Sequence, residues 1–234
     1  MGGRPNVRLT LCLLTWNELD GCRQDVPTLP LDGFDEVFAI DNGSTDGTRE
    51  YLSERGITVY PQTRPTYNGA YHCAFERCTT DALVLFHPKG TIDPAEVLRF
   101  RPLFEQGADL IVASRIGRGA RNEEDDRLLR PRKWFVRALG LTASILWRRE
   151  GPLAWDVLHG FRGMRKATFV ALDARPAGVS VDLEMIVRSY RQRRRIVTFP
   201  IHERPRPHGT THFKAWPTGK RLLAYLWSEL SRRT

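Results

Sequence analysis

Acidic residues are in short supply: 27 Asp and Glu stand against 36 Lys and Arg, a formal net charge of +9 over 234 residues. Cysteine is scarcer still. The four present, Cys12, Cys22, Cys73 and Cys78, show no zinc-ribbon spacing and follow no signal peptide, which argues against a disulfide scaffold and predicts reduced thiols in a cytoplasmic protein. Long hydrophobic runs are missing as well. The longest, Ala138 to Trp147, is about half of the ~20 residues that a bilayer span requires, so no transmembrane helix is predicted. The chain has no P-loop, no Gly-x-Ser-x-Gly elbow, no Gly-x-Gly-x-x-Gly after a strand, no repeat and no low-complexity linker. His208 and His212 have the i, i+4 spacing of a helical metal pair, but Pro205, Pro207 and Gly209 oppose a helix there.

A hydrophobic content of 41% suffices for the core of one domain, set at residues 1–215, followed by an amphipathic helix over 216–234. In that helix Leu222, Leu223, Leu226, Trp227 and Leu230 share a face beside several cations. The face either docks on the core or lies on an anionic membrane, the latter making the protein peripheral at the cytoplasmic side. Positive charge clusters at Arg130-Pro-Arg-Lys133, Arg148-Arg149 and Arg193 to Arg195, which suits an anionic partner. No nucleic-acid-binding fold or aromatic-basic ladder accompanies it, so nucleic acid is not the expected partner. Nothing in the sequence sets an oligomeric state.

Apolar runs predict strands at Val7 to Thr15, Asp35 to Ile40, Ile57 to Tyr60, Ala82 to Phe86, Ala108 to Ser114 and Ile196 to Ile201, with a strand-like return at Val157 to Phe161. Helices are predicted from Asp46 to Arg55, Asn68 to Cys78, Pro94 to Glu105, Lys133 to Arg149 and Val181 to Arg191. This βαβα rhythm implies an α/β fold with a mainly parallel central sheet and helices on both faces. Ligands of such sheets bind beyond the carboxyl ends of the strands. The residues placed there are Trp16-Asn17-Glu18, Asp41 to Asp46, His87 to Lys89, and Arg115.

The stretch DNGSTDGT, residues 41–48, puts short polar side chains and helix-capping residues just after a strand. By itself it reads equally as a well-built turn. TWNE, residues 15–18, follows the preceding strand, so one ligand can touch both turns.

Thr15-Trp-Asn-Glu18, Asp41 to Thr48, Asn68-Gly-Ala70, Ser114-Arg115, Asp156 with Gly160-Phe-Arg162, and Glu184 stand in the order found in family 2 glycosyltransferases. From Val7 to about Lys214 the chain resembles the branch that includes dolichol-phosphate mannose synthase and bacterial polyprenyl-phosphate glycosyltransferases. The resemblance implies the Rossmann-like nucleotide-diphosphate-sugar transferase (GT-A) fold and an inverting transfer. It places Thr15, Asn17, Glu18, Asp41, Asn42 and Ser44 at the nucleotide, with Asn68 and Gly69 close by. Trp16 reads as core or rim packing, and Asn68 also as a plain helix cap.

Asp156 and Glu184 are the carboxylates for the acceptor side, either as a general base for a hydroxyl or as buried partners of Arg115 or Arg162. A phosphate acceptor, already anionic, has little need of a base. Arg115, Arg130, Arg132, Lys133, Arg162, Arg204 and Arg206 are candidates to surround an acceptor phosphate and the departing diphosphate, each competing with plain solvated charge. Three roles for the chain follow: transfer to a polyprenyl phosphate or other glycan acceptor, a soluble enzyme acting on a sugar or small-molecule hydroxyl, and a nucleotide- or lipid-binding relative without transfer.

One loop departs from the resemblance. Where the family reads Asp-x-Asp followed by a proline, this chain has His87-Pro-Lys89, aligned on Pro94. In the family those carboxylates hold Mg²⁺ or Mn²⁺, hard ions that prefer oxygen ligands. No cofactor is therefore expected, the usual ligands being absent. Lys89 with His87 either supplies the positive charge directly, or marks a loss of activity, or a metal is held elsewhere by Asp93, His208 and His212.

Overall fold

The computed structural model describes residues 6–125, 129–209 and 215–232. Among them β1 (Leu9–Thr15), β2 (Glu36–Asp41), β3 (Thr58–Pro61), β4 (Ala82–Phe86), β5 (Leu110–Ser114), β6 (Arg162–Arg165) and β7 (Ile196–Pro200) form one sheet, in the order β3-β2-β1-β4-β6-β5-β7. All neighbours are parallel except at β6, which runs antiparallel between β4 and β5. Every residue of β1 is buried because helices cover both faces, which is why LTLCLLT reads as a continuous apolar run.

Side chains alternate across the sheet. Leu9, Leu11 and Leu13 enter one core layer with α1 (Leu19–Asp25), α2 (Thr48–Glu54) and α4 (Phe100–Glu105), which contribute Cys22, Leu52, Phe100 and Phe104. Cys12 and Leu14 enter the other, with α3 (Thr66–Arg77), α5 (Pro131–Trp147), α6 (Lys166–Leu172), α7 (Val181–Arg191) and α8 (Ala215–Leu230). All four cysteines are buried and unpaired, as the sequence implied.

The structure corrects three expectations. Residues 157–161 are not a strand: Val157 and Phe161 are buried as loop packing, and the strand begins at Arg162. Its two arginines hide it from a hydrophobicity reading, although Arg162 is fully buried and Arg165 donates to the Ala108 and Phe104 carbonyls. The helix expected over 94–105 is a 3₁₀ turn, Pro94–Arg99, followed by α4, since Pro102 lacks the N–H that a continuous helix would bond to residue 98. Lastly, the apolar face expected of α8 is split. Leu222, Tyr225 and Leu226 pack in the core, whereas Trp216, Leu223, Trp227 and Leu230 are exposed.

Candidate active site

A cleft of about 990 Å³ opens beyond the carboxyl ends of the parallel strands. Thr15, Trp16 and Glu18 line it after β1, Asn42 after β2, His87 and Lys89 after β4, and Arg115 after β5. Its outer wall comes from the first turns of α5 and α8, with Arg132, Lys133, Phe135, Arg221 and Leu222. Gly219 on α8 lies over the Phe135 ring, so the two helices meet at this wall.

The turns after β1 and β2 are sewn together. Asp41 accepts from the Thr15 hydroxyl at 2.9 Å, the Gly43 and Ser44 amides at 3.0 and 2.8 Å, and the Ser44 hydroxyl at 2.5 Å. Asn17 accepts from the Thr45 amide at 2.9 Å, and its own amide donates to Ser44 Oγ at 2.8 Å. Asp41, Asn17 and Ser44 therefore brace the two turns and do not line the cleft, while Thr15, Glu18 and Asn42 do. The Glu18 carboxylate receives Arg206 Nη2 at 2.6 and 2.5 Å, which ties the C-terminal loop over this end of the cleft.

The loop after β4 is fixed from behind by α1. A Cβ on Gly21 would lie 2.2 Å from the Pro88 carbonyl oxygen, so only glycine lets α1 pack this closely. Asp25 accepts the Gly90 amide at 2.8 Å, and burial raises its carboxyl to about 6. Lys89 is thereby presented to the cleft, and among the described residues its ammonium has no hydrogen-bond or ion-pair partner. Burial pulls its pKa down, and the neighbouring Glu18 and Arg206 act in opposite directions on it. Burial, with the Lys89 charge adding to it, holds His87 well below the ordinary histidine value, so its imidazole is neutral.

After β5, Arg115 grips Asp156 with Nε at 2.8 Å and Nη2 at 3.0 Å, and Nη1 reaches Glu203 at 3.2 Å. Burial alone would raise the Asp156 pKa; the Arg115 guanidinium overrides it and holds the carboxyl well below the usual range. Burial raises the Glu203 carboxyl and pushes the His159 imidazole down to about 3. Arg162 is spent on protein: its Nε meets Asp182 Oδ1 at 3.0 Å, and other nitrogens donate to the His159 and Asp182 carbonyls.

Several expected site residues lie elsewhere. Glu184 is fully buried, accepting from Ser180 Oγ at 2.5 Å and the Arg175 amide at 2.9 Å, with Arg188 Nη2 at 3.5 Å. Asn68 bonds the Val181 amide and the Arg175 carbonyl, and Gly69 lies against the Arg64 carbonyl, so both join α3 to its surroundings. Arg130 pairs with Asp125, whereas Arg132 and Lys133 do line the cleft wall but are paired there with Glu123 and Asp125; Arg204 lines an adjoining groove together with Asp93, which caps the 3₁₀ turn. His208 is exposed and His212 lies outside the described residues. Glu184→Ala is expected to lower unfolding stability by about 3 kcal/mol, the cost of stranding a buried charge, with nucleotide affinity unchanged; urea denaturation and nucleotide titration check the two parts. The cleft residues hidden from the sequence are Tyr67, Asp182 and Glu203, with Gly21 and Asp25 behind them. Only the apolar spacing of α7, which separates position 182 from 184, offered a signal for any of them.

Comparison with known proteins gives three findings. Residues 22–172 match the family model described as glycosyl transferase family 2. A curated protein, the glycosyltransferase AglJ of Haloferax volcanii, is 24% identical over 203 residues, 86% of this chain. The chain spans 65% of that relative's length. Glucosyl-3-phosphoglycerate synthase of Mycobacterium tuberculosis, solved with Mn²⁺, UDP-glucose and phosphoglyceric acid, superimposes with a TM-score of 0.73 at 18% identity, covering 99% of this chain and 82% of the other. The same enzyme with UDP alone gives 0.69 at 17%, with 99% and 83% covered. This likeness is one of fold.

The donor set at the end of β4 does not fit the divalent ion held by that neighbour. The loop offers a neutral imidazole and an ammonium, and the nearby carboxylates Glu18, Asp156 and Glu203 are each engaged by an arginine. Among the described residues no group of three or more His, Cys, Asp or Glu is placed to hold a metal.

Proposed function

The chain belongs to glycosyl transferase family 2, and from that premise we propose that it moves a sugar from a nucleotide-diphosphate sugar to a polyprenyl phosphate, with Lys89 in the place of a metal ion. The GT-A fold of the family sets the cleft at the strand ends. The acceptor phosphate oxygen attacks the anomeric carbon as the bond to the diphosphate oxygen breaks, inverting that carbon. The electron pair leaves on the diphosphate, where negative charge grows. A preorganised cation there lowers the barrier. The observation that carries this reading is Lys89: a part-buried ammonium at the end of β4, in a cleft whose neighbouring acids and arginines are paired with one another.

Two features support a phosphate acceptor on a lipid. Asp156, clamped by Arg115, is too weak a base to take a hydroxyl proton, and an anionic acceptor asks for none. The outer wall of the cleft continues into an apolar surface. Trp134, Leu141 and Ile145 on α5 form one exposed stripe, and Trp216, Leu223, Trp227 and Leu230 on α8 another, with Arg137, Arg148, Lys220 and Arg221 beside them. Trp216 is 83% exposed and Trp227 75%. No helix among the described residues is long and apolar enough to cross a membrane. Tryptophan, leucine and cations on paired helices suit the headgroup boundary of an anionic bilayer, with the lipid tail in the membrane and its phosphate in the cleft. This describes a cytoplasmic protein, peripheral at the inner face of the membrane. Trp216→Glu and Trp227→Glu are each expected to weaken binding to phosphatidylglycerol vesicles by about tenfold, read by co-sedimentation.

Transfer to a soluble hydroxyl is the second reading, favoured by Glu203, a part-buried carboxyl in the cleft that desolvation makes a stronger base than an ordinary glutamate. Release of nucleoside diphosphate from a panel of sugar nucleotides separates the two. Stimulation by polyprenyl phosphate in vesicles and none by free sugars is the expected result; turnover with soluble sugars and no lipid would overturn it.

A further inference from the structure

Beside the β4 loop the cleft has a polar corner that diphosphate stabilisation does not use. Tyr67 at the start of α3, His87 after β4, Gly160 before β6 and Asp182 in the first turn of α7 form it. A Cβ on Gly160 would sit 2.6 Å from His87 Cε1 and 2.7 Å from Tyr67 Oη, so both side chains rest on the bare backbone of that glycine. Asp182 Oδ1 accepts from the Tyr71 hydroxyl at 2.6 Å and lies in ion-pair contact 3.0 Å from Arg162 Nε, whose hydrogen goes to the His159 carbonyl. Among the described residues its Oδ2 takes only the Tyr67 hydroxyl, at 3.1 Å, and so keeps acceptor capacity toward the cleft. Neither ring nitrogen of His87 has a hydrogen-bond partner among the described residues, so the neutral ring offers one donor and one acceptor.

A phosphate does not suit this corner, because it would meet the Asp182 carboxylate. Hydroxyl groups do suit it: each can donate to Asp182 or to the open imidazole nitrogen and accept from the other imidazole nitrogen. We propose that Tyr67, His87 and Asp182 form the subsite for the hydroxyls of the donor's sugar and set which sugar is accepted. The inference rests on the donor reading of the cleft and divides labour within the β4 loop. Lys89 faces the diphosphate, and His87, two residues earlier, faces the sugar. A sugar lacking the hydroxyl that fills this corner would leave buried polar groups unpaired, the strongest form of discrimination a site can build.

The test compares binding of bare nucleoside diphosphates with that of their sugar conjugates, using uridine and guanosine diphosphates, their hexose conjugates and single-deoxy analogues in calorimetric titrations. Tyr67→Phe and His87→Ala are each expected to lower affinity for the preferred conjugate about tenfold while changing affinity for the bare diphosphate less than about twofold. Both substitutions should also flatten the preference for the parent sugar over one deoxy analogue. Asp182→Asn should do the same, although its contact with buried Arg162 makes the other two variants the safer test. Equal losses for conjugate and bare diphosphate, or an unchanged sugar preference, would overturn the subsite and leave the donor reading standing. Failure of the wild-type protein to bind any of these nucleotides would overturn both.

Discussion

Lys89→Ala is expected to lower kcat by about 10²–10³-fold, the loss measured when one preorganised stabiliser of developing charge is removed. Stability should hardly change. The Lys89 ammonium is part-buried and has no partner among the described residues, so its removal strands no opposing charge and relieves a desolvation cost. That separation of rate from stability is what identifies a functional charge, since a structural lysine would lose both together. The same residue fixes the pH response. A lysine whose pKa is lowered by burial loses its charge sooner as pH rises, so kcat should fall on the alkaline side below the ordinary lysine value of 10.5. His87 contributes no limb near neutrality, being already neutral there.

Arg115→Ala is expected to have the largest effect on the fold. Arg115 neutralises two carboxylates at once, the buried Asp156 at 2.8 Å and the part-buried Glu203 at 3.2 Å. Breaking a buried pair from one side typically costs about 3–5 kcal/mol, because the remaining charge stays desolvated. Urea denaturation should show that loss, and Arg115→Ala with Asp156→Asn should recover part of it, a coupling that a double-mutant cycle isolates. Asp156 also sets an acid limb. Its folded pKa lies below the unfolded value of 3.8, so its contribution is complete above that value and is lost as pH falls toward the folded one. In Arg115→Ala the Asp156 pKa should rise and this limb should vanish, visible as a flatter dependence of stability on acid pH.

Much of the architecture was legible because the central strands announce themselves. β1, β2, β4 and β5 are largely buried on both faces, so each reads as an apolar run that stops at polar residues, and those at or just past the strand ends, Thr15, Asn42, His87 and Arg115, line the cleft. β6 was not legible because Arg162 and Arg165 replace hydrophobic burial with ion pairing and carbonyl contacts. Site residues divide in the same way. Thr15, Glu18, Asn42, His87, Lys89 and Arg115 follow strands and line the cleft, whereas Glu184 was placed there by resemblance. On α7, positions 182 and 184 are about 200° apart, so when Asp182 faces the cleft, Glu184 turns toward Arg188 and α8. Which of the two faces inward depends on how α7 packs against α3, a long-range contact that local pattern does not carry. Gly21 and Asp25 were hidden for a similar reason: their role comes from the approach of α1 to a loop about 65 residues downstream.

The replacement of a metal by Lys89 is tested most directly by single-turnover release of nucleoside diphosphate from the preferred sugar nucleotide with polyprenyl phosphate, measured with EDTA and again with added Mn²⁺ or Mg²⁺. The predicted result is a rate that neither chelator nor metal alters in the wild-type protein and that Lys89→Ala lowers by about 10²–10³-fold. Turnover that EDTA stops and Mn²⁺ restores, with Lys89→Ala still near the wild-type rate, would contradict it.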